Sequence, residues 1–207
     1  MAYGDTWTWT AIDADSKLIV SWLVGGRDSD YAMGFMDDLK SRLANRVQLT
    51  SDGHKAYLEA VEGAFGGDID YAMLVKIYGN APEAVKGRYS PAECTGARKE
   101  RIEGNPDPKH VSTSYAERQN LTMQMRRFTR LTNAFSKKFE NHMHMVALYT
   151  VWYNFVKQHK SLKGLSPALA AGVSKTLWSV TDLAGMIDAT LPKLGKRGPY
   201  KKEEISN

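Results

Sequence analysis

The hydrophobic period of this chain changes twice, and those changes most constrain its fold. Residues 6–14, TWTWTAIDA, alternate polar and apolar side chains, break at a short DSK turn, and resume as LIVSWLV. A period of two on either side of a turn predicts a β-hairpin. A third strand is expected after Gly25 and Gly26. From Ser29 the spacing of Tyr31, Met33, Phe35, Met36, Leu39 and Leu43 is that of an amphipathic helix, with Ser29 as its N-cap. The text then returns to a short strand, NRVQLTSD, a helix, HKAYLEAVEGAF, and a strand, IDYAMLVKIYG. Hairpin, helix, strand, helix, strand predicts an α/β fold with a mixed β-sheet flanked by helices.

From Asn80 to His110, Pro82, Gly87, Pro91, Gly96, Gly104, Pro106 and Pro108 interrupt any period, so a long loop is expected. It carries Lys86, Arg88, Arg98, Lys99, Arg101 and Lys109, a first set of candidate DNA contacts. A helix opens at STSYAERQN. A second, from about Phe139 to His159, is apolar nearly all round, as a central helix is. SLKGLSPALAAG reads as a turn entering a short helix, and GKRGPYKKEEISN as a charged, disordered tail. Residues 1–172 form the expected main domain, and 173–207 a C-terminal helix and basic tail.

Composition narrows the classes. Hydrophobic residues make up 43% of the 207, enough for a buried core. The single cysteine, Cys94, excludes an intrachain disulfide and a cysteine-based zinc site, and fits a reducing cytoplasm. The N-terminus lacks the basic start and apolar run of a signal peptide. The apolar stretch near Met143 to Val156 is too short to span a bilayer and contains His144 and Asn154. A cytoplasmic protein is expected.

Three carboxylates stand at element ends: Asp13 after the first strand, Asp52 after the strand preceding Gly53, and Glu117 in the first turn of a helix. They are separated by 39 and by 65 residues, so only the fold can bring them together. Each also has a structural reading. Asp13, like Asp15, suits a hairpin turn, Asp52-Gly53 suits a turn or helix start, and Ser114 to Glu117 fits a capping box. Strand alternation puts Asp13 and Asp15 on one face and leaves both open.

The segments WTWTAIDADSKLIVSWLVGGRD, TSDGHKAY and SYAERQNLTMQMRRFTRLTNAFSKK, with the closing YNFVKQHKSLKGLSPALAAG, resemble the blocks of the insertion-sequence-one transposases, members of the wider DDE class. The likeness covers about residues 7–170. It implies an RNase H-like fold, with Asp13, Asp52 and Glu117 as catalytic residues and metal ligands. The expected cofactor is a pair of Mg²⁺ ions, with Mn²⁺ as a substitute. Two such ions about 3.5–4 Å apart serve the attacking and leaving oxygens of a phosphodiester at once. The implied activity is DNA strand cleavage and strand transfer during transposition, on transposon ends and target DNA, with a homo-oligomer on DNA as a further expectation. Transposases of this kind usually carry a zinc-binding segment and a helix-turn-helix ahead of the catalytic domain. Here the text begins almost at the first strand, which keeps two other readings open: a catalytically silent DNA-binding remnant and a structure-directed nuclease on the same fold.

After Glu117 come Arg118, Arg126, Arg127, Arg130, Lys137 and Lys138, with no acidic residue among them. One-sided charge on the helix delivering Glu117 predicts a phosphate track. Gln119 and Asn120 are expected to reach sugar or base edges. His142 and His144 are two apart, about 200° around a helix, and so do not share an ion. His54, two residues beyond Asp52, is read as a polar residue at a helix start, and His159 matches a His common in the closing block of the resembling family, with no role assigned to it.

Overall fold

The computed structural model describes residues 6–79, 93–123 and 138–190. The side chains of 93 and 120–123 lie outside that description. Strand β1 (Trp7–Ile12) and strand β2 (Ile19–Gly25) form the expected antiparallel hairpin. The register passes from Ala11↔Ser21 to Ile12↔Ile19, so Val20 is an extra residue in β2. Such a bulge sends two neighbouring residues to one side. Val20 and Leu23 pack on one core, while Ile19, Trp22 and Val24 pack on the other.

No third strand follows Gly25. The chain turns directly into helix α1 (Ser29–Arg42). The Tyr31 ring lies over Gly25, where an added Cβ would come within 1.9 Å of Tyr31 Cε1. The N-cap is Asp28, not Ser29: its carboxylate accepts the Tyr31 amide at 3.2 Å. Asp30 in the first turn and Lys40 and Arg42 in the last suit the helix dipole. Ala32, Phe35, Met36 and Leu39 form the buried stripe, each large side chain contributing about 1.5–3 kcal/mol by burial. Ser21 on β2 donates to Asp38 at 2.6 Å, and Arg42 also holds that carboxylate, tying α1 to the hairpin.

Strand β3 (Gln48–Asp52), helix α2 (Ala56–Phe65) and strand β4 (Asp70–Gly79) follow as expected. Strand β3 runs parallel to β4, and a further strand, β5 (Glu93–Glu103), runs antiparallel to β4. The expected loop 80–110 therefore contains a strand. Its charged run RKER sits on the sheet edge, where like strands are discouraged from pairing. Tyr71, Ala72 and Met73 are consecutive and all buried, as in a strand covered on both faces.

The molecule is α/β, with a mixed three-stranded sheet, β3-β4-β5, flanked by helices. Among the described residues the hairpin β1-β2 is a separate ladder. A core of Trp9, Phe35, Met36, Leu39, Val61, Phe65, Tyr71 and Met73 joins both ladders to α1 and α2. Helix α3 (Ser114–Met123) carries Glu117. Helix α4 (Phe139–Val151) passes into a π-helical turn at Trp152–Val156, short of the expected His159. Val146, Tyr149 and Tyr153 pack on Ile19 and Val24, but Phe139 and Leu148 are exposed, so α4 is covered on one face rather than all round. Ser166 caps the short helix α5 (Pro167–Ala170), and α6 (Val180–Thr190) has no buried residue. The expected tail, 191–207, lies outside the described residues. Among those described, no helix is long and apolar enough to cross a membrane.

Candidate metal and nucleic-acid site

One cavity of about 1240 Å³ lies where β1, β3 and α3 meet, and Asp13, Asp52 and Glu117 all line it. It runs along the length of β1 and β3 and past their C-terminal ends to α3.

Asp13 is the first residue past β1. Its amide donates to the Leu18 carbonyl at 2.8 Å and its carbonyl accepts from the Lys17 amide at 2.9 Å, closing the hairpin turn with Lys17 at φ +63°. Its carboxylate accepts from both the amide and the hydroxyl of Ser16. Partial burial pushes the Asp13 carboxyl up. The Ser16 bonds, a backbone bond from Asp15 and the Lys17 charge outweigh it and leave Asp13 below its ordinary value. Asp15 also lines the cavity, so the cavity does not choose between the two.

Asp52 ends β3, where it pairs in register with Leu74 of β4. One carboxylate oxygen accepts the His54 amide at 3.1 Å, a local bond typical of Asp in turns. Its neighbour Ser51 is buried and hydrogen-bonds the Tyr71 hydroxyl at 2.7 Å, which anchors the strand end. Burial pushes the Tyr71 hydroxyl up to about 12. The His54 ring points to the Arg27 carbonyl at 3.0 Å and meets the edge of Tyr57, so it packs beside α2 and does not cap it as expected: the N-cap is Lys55, without a side-chain cap bond.

Glu117 is half-buried on the first turn of α3. Lys76 lies 2.8 Å from its Oε1, and Thr113 donates to the same oxygen at 2.6 Å. Lys76 first, and Thr113 second, hold this carboxyl below its ordinary value. The capping box expected from Ser114 is not formed in that way: the Ser114 amide donates to Ser112 Oγ at 3.2 Å. Glu117 is bound one residue earlier, at Thr113, and across the cavity at Lys76.

The donor chemistry fits a hard divalent cation, since three carboxylates face one cavity and two are held toward the ionised form. Among the described residues, no three of His, Cys, Asp and Glu are grouped to hold one ion together. Mg²⁺ is bound through one or two carboxylates plus waters, so its fit does not depend on such a group.

The expected DNA contacts divide. Arg118 and Lys138 are exposed, Lys138 directly preceding α4. Gln119 is a correction: it is 3% exposed and donates to the Tyr149 hydroxyl at 3.0 Å, holding α3 to α4 rather than facing solvent. The side chain of Asn120, and Arg126, Arg127, Arg130 and Lys137 altogether, lie outside the described residues, as do Lys86 and Arg88. His142 is half-buried and His144 exposed, in keeping with their separation around the helix.

Lys76, Ser16 and Thr113 are the site residues that sequence reading missed. Lys76 had a signal: it is a single charge in the apolar run AMLVKIYG, two residues beyond the register partner of Asp52. Ser16 and Thr113 are small polar residues beside a carboxylate, a pattern common to ordinary turns. Comparison with protein-family models, with curated proteins and with solved structures finds no match.

Proposed function

We propose that this chain is the catalytic domain of a DDE-type transposase, an RNase H-like enzyme that cleaves and joins DNA strands. The observation that carries the reading is that Asp13, Asp52 and Glu117, from three separate elements, line one cavity. The resemblance of the three sequence blocks supports the same assignment. Two Mg²⁺ ions, or Mn²⁺ in their place, would be held by these carboxylates; when bound they activate the attacking oxygen and stabilise the leaving one. The chain's own residues orient the ligands. Ser16 fixes the Asp13 carboxylate, the His54 amide fixes Asp52, and Thr113 fixes Glu117. Such outer hydrogen bonds set the aim of metal-ligating carboxylates. Arg118 and Lys138, with Arg126, Arg127, Arg130 and Lys137, supply phosphate contacts. The partners are transposon ends and target DNA, with a homo-oligomer assembled on them, in the cytoplasm.

The test is cleavage of labelled duplex DNA. Mg²⁺ or Mn²⁺ should support cutting, and Ca²⁺ should support binding with little cutting. Full activity in excess chelator would refute the metal mechanism. A second reading, a silent DNA-binding remnant, is favoured by one observation: each of the three carboxylates already has a partner within the chain. DNA binding with no cutting in either Mg²⁺ or Mn²⁺ would select it.

A further inference from the structure

Lys76 owes its place to the register of the sheet. Asp52 pairs with Leu74 in the parallel ladder β3-β4, so the two project on one face. Lys76 is two residues further along β4 and returns to that face. Strand β3 has ended by then, so no β3 residue lies beside Lys76. Its side chain therefore reaches past the end of β3 into the cavity and meets Glu117 Oε1 at 2.8 Å.

A second lysine contact secures the same helix. Lys17, in the hairpin turn beside Asp13, stands over the Tyr115 ring at 3.5 Å from its centroid. Tyr115 is two residues before Glu117. Helix α3 is thus held to the hairpin by Lys17 and to the three-stranded sheet by Lys76. Lys76 supplies the positive charge closest to Glu117, on an oxygen a metal would also use.

We propose that Lys76 is the positioning residue of Glu117, an internal cation that occupies this carboxylate in the metal-free protein and competes with a divalent ion for it. The inference rests on the reading of Asp13, Asp52 and Glu117 as metal ligands. The pair is partly solvated, with the two side chains 38% and 45% exposed, so the competition is modest in size. Lys17 over Tyr115 holds α3 without that pair, and Lys76 gives way when the carboxylate is taken by a stronger cation.

The experiment titrates Mn²⁺ into DNA-free protein and reads free Mn²⁺ by electron paramagnetic resonance, a signal independent of cleavage. Lys76→Met should bind Mn²⁺ roughly two- to five-fold more tightly than wild type, the scale of an exposed ion pair. Lys76→Arg, which keeps the charge, should bind no more tightly than wild type. A merely structural lysine would give the opposite sign, because a loosened α3 weakens metal binding. Lys76→Gln serves as a second neutral variant should the methionine disturb folding, with the same tightening expected. Unchanged or weaker Mn²⁺ binding in the neutral variants, with wild type binding normally, would overturn the role of Lys76 alone. Absence of Mn²⁺ binding in wild type and variants alike would overturn the metal reading together with it.

Discussion

Asn154 forms two hydrogen bonds with the backbone of Ile19, 135 residues away: its side-chain oxygen accepts from the Ile19 amide and its side-chain nitrogen donates to the Ile19 carbonyl, each at 2.9 Å. Both residues are buried. The side-chain amide thus takes the place of a neighbouring strand on β2, at the bulge where the pairing with β1 is irregular. Asn154→Leu should strip partners from two buried backbone groups, each costing about 1–3 kcal/mol when unsatisfied. We expect a loss of roughly 2–4 kcal/mol in urea unfolding. A loss below about 0.5 kcal/mol would mean that water replaces Asn154 freely at this site.

Glu117→Gln separates a metal ligand from a helix-end acceptor. Glutamine retains an oxygen for Thr113 and loses the charge that meets Lys76. Cleavage should fall by more than the roughly 10–100-fold typical of losing an outer hydrogen-bond partner of a metal ligand. DNA affinity in Ca²⁺ should change little. Near wild-type cleavage would make Glu117 a structural residue.

Asp13 and Asp15 both line the cavity, but only Asp13 has its carboxylate fixed by Ser16. Asp13→Asn and Asp52→Asn should abolish cleavage with folding intact. Asp15→Asn should be mild, since a turn accepts asparagine well. The reverse ranking of Asp13 and Asp15 in a cleavage assay would move the first ligand by two residues.

Asp70 sets an acid limit on stability. Arg46 grips its carboxylate at 2.9 and 3.1 Å and the Asn105 amide adds a bond at 2.7 Å. Arg46 first, then the Asn105 bond, bring its carboxyl down to about 2 from 3.8. A depressed folded value means that the contribution is present above pH ~4 and is lost as pH falls toward 2. The melting temperature of Asp70→Asn should therefore lie below wild type at pH 6, and the gap should narrow between pH 4 and 2. A gap independent of pH would show that the ion pair is not what the mutation removes.

Arg126, Arg127 and Arg130 carry the sequence's own prediction of a phosphate track. Replacing them with alanine should weaken DNA binding similarly across sequences. The slope of log K against log salt should flatten by roughly 0.9 per lost duplex-phosphate contact. An unchanged slope would place these arginines away from DNA. Gln119→Ala offers the contrast: it should destabilise the fold by about 0.5–1.5 kcal/mol through the lost bond to the Tyr149 hydroxyl, without altering the salt slope.

Local pattern alone was enough for the hairpin, for α1, α2, β3 and β4, and for the placement of three carboxylates at element ends. Those features rest on periods of two and 3.6 residues, which a linear text records directly. The strand β5 was hidden because its alternation is masked by charge, as an edge strand's can be, and its pairing with β4 is written in neither segment alone. Gln119 and Asn154 read as polar residues on helices, and nothing in their neighbours says that one meets Tyr149 and the other Ile19. Lys76 likewise reads as an isolated charge until the parallel register with β3 sets it beside Glu117. Such partners lie tens to more than a hundred residues away, and a polar side chain's role is decided by the partner that satisfies it once buried, which only tertiary structure supplies.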